Sequence, residues 1–247
     1  MEVKKIRDLS LINIDEKRTI VIACDSCGGI GIKEGDSLKV PTLYVAKFTV
    51  RVAIMEVMCS GAEIITITNA VCNEMYDTGV QVIKGIKEEL KMAGISDMML
   101  TGSTEENFKT ISTGIGITAI GIASNDKLKV TSIKEEAAIV SIGIPKVGNE
   151  INFVKDDEIV CYEAIKKLVR SEDVYEIVPV GSKGIAYEAE TLAKNNSFEF
   201  EFKDELSVDI HKSGGPATCV IAAVNQRKIN DIIKDFNNVN IIGYLNR

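Results

Sequence analysis

The sequence predicts an α+β protein made of two halves that meet near residue 125. Apolar segments of strand length alternate with single amphipathic helices along the whole chain. This pattern breaks at the polar run Asn125–Lys129 and then begins again. The 247 residues correspond to roughly 1.6 average domains. Residues 1–125 and 126–247 are therefore expected to form one half each.

The first half is expected to hold four strands and two helices. Its apolar runs are short, rich in β-branched residues and followed by turn residues, while Pro and Gly residues mark the ends of the helices. The predicted elements are a strand Arg18–Ala23, a glycine-rich loop Asp25–Asp36, a helix Pro41–Ser60, a strand Glu63–Ala70, a helix Thr78–Ala93, a strand Met98–Thr101 with a polar turn Gly102–Asn107, and a strand Thr113–Ser124.

The second half repeats this alternation, although not as a regular Rossmann arrangement. It contains neither a GxGxxG nor a GxxxxGK[ST] motif. The predicted elements are a strand Ala137–Ile144, a helix Asp157–Arg170, a strand Tyr175–Val180, a loop Gly181–Gly184 with a helix to Asn195, a strand Ser197–Phe202, a loop His211–Pro216, a strand Ala217–Ala223, a helix Gln226–Phe236 and a strand Val239–Leu245.

Composition excludes several classes of function. The net charge of −7 and the lack of a basic block argue against binding to nucleic acid, whose phosphates need clustered Lys and Arg. A single histidine, His211, argues against a Ser-His-Asp hydrolase or a multi-histidine metal site. No apolar run is long enough to span a membrane, and the first residues lack the apolar core of a signal peptide. We therefore expect a cytoplasmic protein in which the thiols of its six cysteines are mostly free and buried.

Polar and glycine residues follow four of the predicted strands. These transitions are Cys24–Ser26, Asn73–Glu74, Thr101–Asn107 and Gly181–Gly184. Glycine-rich loops let backbone N–H groups approach phosphate oxygens, and carboxylates beside them hold Mg²⁺. Each loop taken alone is more simply a turn, so the order of all four carries the functional interpretation.

Two other features allow alternative interpretations. Cys24 and Cys27 form a CxxC pair that is found in redox and zinc sites, but no helix follows it and a fourth zinc ligand is not evident. Packing within the loop is the simpler interpretation. His211 lacks an assignable acidic partner, so the glycine pair after Ser213 is the better candidate for close ligand approach.

Read in order, these motifs resemble the PurM-like ATP-binding superfamily, which includes aminoimidazole ribonucleotide synthetase, selenophosphate synthetase and thiamine-monophosphate kinase. Glu56 precedes Gly61-Ala62 where the family has an Asp before its Gly-Ala pair. The family's GGDT turn resembles Thr101–Thr104, and its SDGL turn resembles Ser182–Ile185. The family's N-terminal acid corresponds to Asp8.

The sequence departs from that pattern at two positions. Ser103 and Lys183 stand where the family carries acidic residues, which leaves the number of metal ions open. The runs CDSCGGIG, FTVRVAIMEV, VCNEM, LTGSTEENF and SGGPAT are similar to a smaller branch that includes the α-ribazole kinase of cobalamin lower-ligand salvage.

The resemblance implies a set of site residues. Asp25 and Glu56 are expected to be catalytic and, together with Asp8, to hold Mg²⁺. Lys47, Arg51 or Lys183 is expected to neutralise phosphate charge, although the outer face of a solvated helix is an equally good interpretation of Lys47 and Arg51. The expected nucleotide-binding residues are Gly28, Gly29, Gly31, Lys47, Gly102, Ser103, Thr104, Glu105, Glu106 and Asn107, and the expected substrate-binding residues are Ser182, Lys183, Gly184, Ser213, Gly214 and Gly215.

The resemblance also implies a fold, a partner and an activity. The N-terminal half would bind ATP and pair with a second copy into a dimeric β-barrel, and the C-terminal half would form an α/β sandwich. The expected activity is an ATP- and Mg²⁺-dependent kinase acting on a nucleoside-like substrate, with the ribose 5′-hydroxyl of α-ribazole as the acceptor. Phosphoryl transfer needs positioning and charge neutralisation more than an elaborate base. The alternatives are an ATP-dependent synthetase or cyclase that activates a carbonyl or amide oxygen, and a nucleotide-binding regulator with reduced catalysis.

Overall fold

The computed structural model describes residues 2–247 and confirms a mixed α+β protein. The chain forms two compact units. The first contains the described residues up to Val57 together with Ala62–Asn125, and the second contains Met58–Gly61 and Asp126–Arg247. Each unit has its own main sheet.

The first unit is built on a six-stranded sheet in the order β1-β2-β3-β8-β6-β7. Neighbouring strands are antiparallel except β6 and β7, which are parallel. A parallel pair of two-residue strands, β4 and β5, lies apart from it. The strands are β1 (Val3–Ile6), β2 (Leu9–Asn13), β3 (Arg18–Gly28), β4 (Ile30–Gly31), β5 (Leu38–Lys39), β6 (Glu63–Val71), β7 (Leu100–Thr104) and β8 (Gly114–Ser124).

Two helices complete this unit, α1 (Thr42–Cys59) and α2 (Val80–Met92). Pro41 precedes the first turn of α1, where a missing N–H is harmless. Gly61, with a φ of 83°, follows its end in the left-handed conformation that glycine adopts without strain. At Gly85 the two helices approach so closely that a Cβ would overlap the carbonyl oxygen of Leu43.

The sheet of the first unit is open, with β1 and β7 at its edges. Within one chain it is therefore not a closed barrel, and the dimeric barrel implied by the resemblance stays a prediction. Along β3 and β8 buried residues alternate with half-buried or exposed ones, as expected for a sheet with helices on one face.

The second unit contains a five-stranded antiparallel sheet in the order β10-β12-β9-β13-β11. Ile139, Val178 and Ile221 of this sheet form one buried cluster with Ile185 and Leu192 of helix α4. The elements are β9 (Ala137–Ile142), α3 (Tyr162–Arg170), β10 (Val174–Pro179), α4 (Gly184–Asn195), β11 (Glu199–Phe202), β12 (Val220–Asn225), α5 (Ile229–Lys234) and β13 (Val239–Asn246).

Several predicted boundaries were wrong. The hairpin of β1 and β2 was not predicted, and the helix expected from Asp157 begins only at Tyr162. The helix expected over Gln226–Phe236 is a 3₁₀ turn, Gln226–Lys228, followed by the short α5. Among the described residues, no helix combines the length and apolar character that crossing a membrane requires.

Candidate functional site

The predicted glycine-rich loop is in part a strand. β3 continues through Asp25 to Gly28 because it pairs along its whole length with β8, with Asp25 opposite Ile117 and Gly28 opposite Gly114. Successive side chains of a strand point to opposite faces, so Asp25 and Cys27 share the half-buried face while Cys24 is exposed on the other. Asp25 is thereby fixed on a regular element rather than on a mobile loop.

Asp8 and Asp25 lie at the same end of neighbouring strands. β2 pairs with β3 from Leu9 opposite Ala23, so the turn that carries Asp8 adjoins the stretch of β3 that contains Asp25. Burial raises the pKa of the Asp25 carboxyl to about 6; a hydrogen bond from the Ser26 backbone opposes this shift, and the charge of Asp8 adds to it. A divalent cation would balance the charge of two carboxylates that repel each other across a partly buried surface, and the role of Asp8 and Asp25 as metal ligands stays a prediction.

The expected third metal ligand does not join this pair. Glu56 is buried near the end of α1 and faces the guanidinium of Arg7, with Nη1 of Arg7 3.7 Å from Oε2 of Glu56. Among residues 2–247 no cluster of three or more His, Cys, Asp or Glu side chains is arranged to hold a metal ion. Two carboxylates suffice for Mg²⁺ when nucleotide phosphates and water supply the other ligands. The pair Asp8–Asp25 therefore fits Mg²⁺, whereas Glu56 already has a cationic partner.

The glycines after β3 differ in what surrounds them. A Cβ added at Gly28 or Gly29 would meet nothing within 4 Å, so the backbone there is open to a ligand. At Gly31 a Cβ would overlap the hydroxyl of Thr113 and the carboxylate of Asp36, so the space expected at Gly31 is not there. The N–H of Gly29 is donated to the carbonyl oxygen of Thr113 at 2.9 Å. Gly29 therefore offers room to a ligand and no free donor.

Asp36 fastens this glycine segment to the start of β8, a role that the sequence did not reveal. Its buried carboxylate accepts hydrogen bonds from the backbone N–H of Thr113 at 2.6 Å, the Thr113 hydroxyl at 2.7 Å, the Ser112 hydroxyl at 2.9 Å and the N–H of Lys33 at 2.9 Å. Burial works to raise the pKa of Asp36, but these hydrogen bonds outweigh it and lower the pKa. Asp36 is therefore a structural anion.

A second polar cluster lies after β6, where Asn73 is buried and Glu74 is half-buried. The Nζ of Lys33 is 2.9 Å from both carboxylate oxygens of Glu74, and the Thr78 hydroxyl donates to the same carboxylate at 2.5 Å. Burial opposes ionisation, but these partners outweigh it and bring the pKa of Glu74 to about 2. The fully buried amide of Asn73 bonds Thr110 and Gly114. Asn73 and Glu74, which the sequence marks as a polar strand end, thus already have hydrogen-bond partners within the protein.

The segment Gly102–Asn107 was predicted to be a turn, but its first half is strand. Gly102 and Ser103 pair with Asn69 and Ala70 of β6, and β7 ends at Thr104. In the loop that follows, Glu106 accepts from the N–H of Met75 at 2.9 Å and from the Thr104 hydroxyl at 2.7 Å.

Glu105 in the same loop accepts from the N–H of Asn107 at 2.6 Å. Both carboxylates of this loop are therefore held in local hydrogen bonds with the backbone and a hydroxyl. A nucleotide-binding role for Gly102–Asn107 stays a prediction.

Lys47 and Arg51 do not form a solvated helix face. Lys47, whose side chain is 15% exposed, lies 3.6 Å from Glu88 of α2, and Arg51, which is 4% exposed, lies 3.6 Å from Glu89. Both cations therefore link α1 to α2. Their predicted contact with phosphate would have to compete with these ion pairs.

The predicted substrate residues of the second unit come together in the structure. The N–H of Gly214 donates to the carbonyl oxygen of Gly181 at 3.0 Å, which joins the Ser213–Gly215 loop to the turn before α4. The Nζ of Lys183 lies 4.1 Å from the ring centroid of Tyr187. The sequence placed these two loops 30 residues apart without indicating that they meet.

The thiol alternatives find no support in the geometry. Cys24 and Cys27 are free cysteines on opposite faces of β3. Burial raises the pKa of the Cys27 thiol, with the charge of Asp25 adding to the effect, so this thiol is less reactive than an exposed one. His211 donates its backbone N–H to Asp209 at 3.0 Å within the loop before Ser213.

Comparison with solved structures defines the class of fold. The chain is similar to AaThiL complexed with AMPPCP and TMP, with a TM-score of 0.67 and 12% identity over 97% of this chain and 84% of that one. It is also similar to a chain of the HypE–HypF complex, with a TM-score of 0.65 and 16% identity over 96% and 86%. A third likeness is to Thermotoga maritima PurL complexed with AMPPCP, with a TM-score of 0.64 and 15% identity over 97% of this chain and 37% of that one.

At 12–16% identity these likenesses show the fold alone. This chain spans little more than a third of the length of the PurL chains, which include phosphoribosylformylglycinamidine synthase II from Thermotoga maritima. Residues 7–123, just under half of the chain, match the family described as AIR synthase related protein, N-terminal domain. This match covers the part of the chain in which the motifs around Asp8, Asp25 and Glu56 resemble that superfamily. No curated protein matches the chain significantly in sequence.

Proposed function

We propose that this protein is a cytoplasmic, ATP- and Mg²⁺-dependent small-molecule kinase. The observation that carries the proposal is the pair of Asp8, in the turn before β2, and Asp25, on β3 shortly before the open glycines Gly28 and Gly29. Solved structures of this fold were determined with ATP and with AMPPCP, which supports a nucleotide as the ligand.

In this proposal the chain's own residues position and neutralise the nucleotide. Asp8 and Asp25 hold Mg²⁺, which when bound bridges phosphate oxygens and offsets their charge. The free space beside Gly28 and Gly29 leaves room for the phosphates. The loops Ser182–Gly184 and Ser213–Gly215 are proposed to bind the acceptor, because a Cβ at Gly215 would have only ordinary contacts, with the Ser213 hydroxyl at 3.7 Å and the Ser182 nitrogen at 3.9 Å, whereas Gly184 and Gly214 are closely packed.

The acceptor we propose is the ribose 5′-hydroxyl of α-ribazole. It rests on the resemblance of the sequence runs around Asp25 and Glu74 to that branch. The test is product analysis by mass spectrometry after incubation of the full chain with Mg·ATP and α-ribazole, with ordinary ribonucleosides as the comparison panel. A monophosphate of α-ribazole formed much faster than any other product supports the proposal. A cyclised or aminated product, or ATP binding without turnover on any acceptor, would refute the kinase assignment.

We further propose that the protein acts as a homodimer formed through the first sheet. Isoleucines line the face of this sheet that is opposite its buried face. Ile12, Ile20 and Ile122 pair across β2, β3 and β8, and Ile22 pairs with Ile120 in the next row. All five are only half-buried in the single chain, and a second copy would cover them.

Light scattering on the Ile22→Glu variant tests this proposal. A dimeric wild type and a monomeric, folded variant are expected. A monomeric wild type at the concentrations used in the assay would contradict it.

A further inference from the structure

One cation of the first unit is buried close to the proposed metal site. Arg7 occupies the turn between β1 and β2, directly before Asp8, and its side chain is only 4% exposed. Its φ of 53° is uncommon for a residue with a side chain, and such conformations persist where the surrounding structure holds them. The turn thus sends neighbouring side chains in two directions, with the Arg7 guanidinium inside and the exposed Asp8 carboxylate outside.

The buried guanidinium needs a counter-charge. Arginine stays protonated at any ordinary pH, and an unpaired charge in a protein interior is strongly unfavourable. The Nε of Arg7 is buried and has no hydrogen-bond acceptor among the described residues. The guanidinium faces the carboxylate of Glu56. The Glu56 side chain is 8% exposed, and its Oε2 lies 3.7 Å from Nη1 of Arg7. Glu56 in turn is the carboxylate that the motif order designated as a metal ligand.

We infer that the Arg7 guanidinium, and not a metal ion, neutralises Glu56, so that the cation site of the proposed function consists of Asp8 and Asp25 alone. This inference rests on the proposed function for the role of Asp8 and Asp25, but the pairing of Arg7 with Glu56 does not. Arg7 accordingly balances the charge of Glu56 inside the unit, and neither side chain of this pair takes part in holding the cation.

The decisive variant is the charge-neutral double substitution Arg7→Gln/Glu56→Gln, because it removes both charges of the pair together and so leaves neither of them buried without the other. Binding of Mn²⁺, used in place of Mg²⁺, is followed by the loss of the electron paramagnetic resonance signal of free Mn²⁺. The double variant is expected to bind Mn²⁺ within about threefold of wild type, while Asp25→Asn loses at least about tenfold, since ligand charge sets affinity for such ions. A folded double variant that loses as much affinity as Asp25→Asn would overturn the inference, because Glu56 would then be a ligand.

A second measurement tests the pairing without any metal. Urea unfolding in EDTA is compared for wild type, Arg7→Gln, Glu56→Gln and the double variant. Each single variant should raise the unfolding equilibrium constant by some factor. If the two side chains are paired, the factor for the double variant should be at least about tenfold smaller than the product of the two single factors. Additive effects would overturn the pairing. If wild type binds no Mn²⁺, the proposed function fails, and this cycle alone decides whether Arg7 neutralises Glu56.

Discussion

Replacing Asp25 by Asn is expected to stabilise the metal-free protein at neutral pH. Burial raises the pKa of this carboxyl from 3.8 to about 6. Between these two pH values the folded protein holds a proton that the unfolded chain has released. Stability therefore falls as the pH rises from about 4 to about 6, and the loss is complete above the folded pKa. Asparagine has nearly the same shape and carries no charge, so it escapes this loss.

The size of the effect follows from the shift. About two pKa units at about 1.4 kcal/mol each give an upper limit of about 3 kcal/mol. Asp25 is only half-buried, and solvent screening reduces the expected gain to about 1–2 kcal/mol. Below pH 4 the wild-type carboxyl is protonated in the folded protein and increasingly so in the unfolded chain, so the gain should fade there.

Urea unfolding in EDTA at pH 7.5 and pH 3.5 measures this gain. Asp36→Asn is the matched control, since Asp36 is a buried aspartate of the same unit whose pKa is lowered by hydrogen bonds that outweigh its burial. Asparagine cannot accept all of those bonds, so this variant should lose about 2–4 kcal/mol at pH 7.5. An Asp25→Asn variant that is less stable than wild type at pH 7.5 would refute the argument, because burial would then not dominate at Asp25.

The glycine segment and the Lys33 ion pair give two more expectations. Gly31→Ala should destabilise the first unit by about 2 kcal/mol or more, because its Cβ would overlap the Thr113 hydroxyl, while Gly28→Ala should leave stability within about 1 kcal/mol and weaken Mg·ATP binding. Thermal unfolding measures the loss of stability in each variant, and nucleotide titration measures the loss of binding. Equal destabilisation by Gly28→Ala and Gly31→Ala would contradict the difference in free space. Lys33→Met should raise the pKa of Glu74 from about 2 towards 4.5 and cost about 1 kcal/mol, as read by carboxyl NMR titration; an unchanged pKa would mean that Lys33 is not what holds the charge.

Proline and glycine residues at the helix ends explain why the helices of the first unit were predictable. Pro41 precedes α1 and Gly61 follows it. Proline has a fixed φ and glycine adopts a left-handed φ without strain, and both effects act only on the neighbouring residues. Gly94, with a φ of 73°, ends α2 in the same way: its N–H donates to the carbonyl oxygen of Lys91 at 3.0 Å. The residues that determine these boundaries lie within a few positions of them.

Strand lengths and the missed hairpin depend on distant partners. Cys24–Gly28 has the composition of a loop, yet it is strand because β8 supplies its hydrogen bonds from more than 80 residues away. β1 is rich in lysine and almost wholly exposed, so it lacks the alternating pattern by which an isolated strand is recognised. It forms because it pairs with β2 at the edge of the sheet.

The candidate site shows the same division. The importance of Asp25 and of the glycines after it was visible in the sequence, because acidic and glycine residues follow an apolar strand. The ion pair of Glu56 with Arg7 was not visible, since the two residues are 49 positions apart and nothing local links them. Nor could the spacing of the glycines show that there is free space at Gly28 and none at Gly31. That difference arises because Asp36 and Thr113 pack against Gly31.

The most direct test of the central claim is an equilibrium titration of ATP into the wild type and into Asp25→Asn, each with Mg²⁺ and with EDTA. The account predicts that wild type binds ATP tightly only when Mg²⁺ is present, and that Asp25→Asn loses the Mg²⁺-dependent part at least about tenfold while remaining folded. Binding of equal strength in both proteins, whether or not Mg²⁺ is present, would contradict a metal–nucleotide site at Asp8 and Asp25.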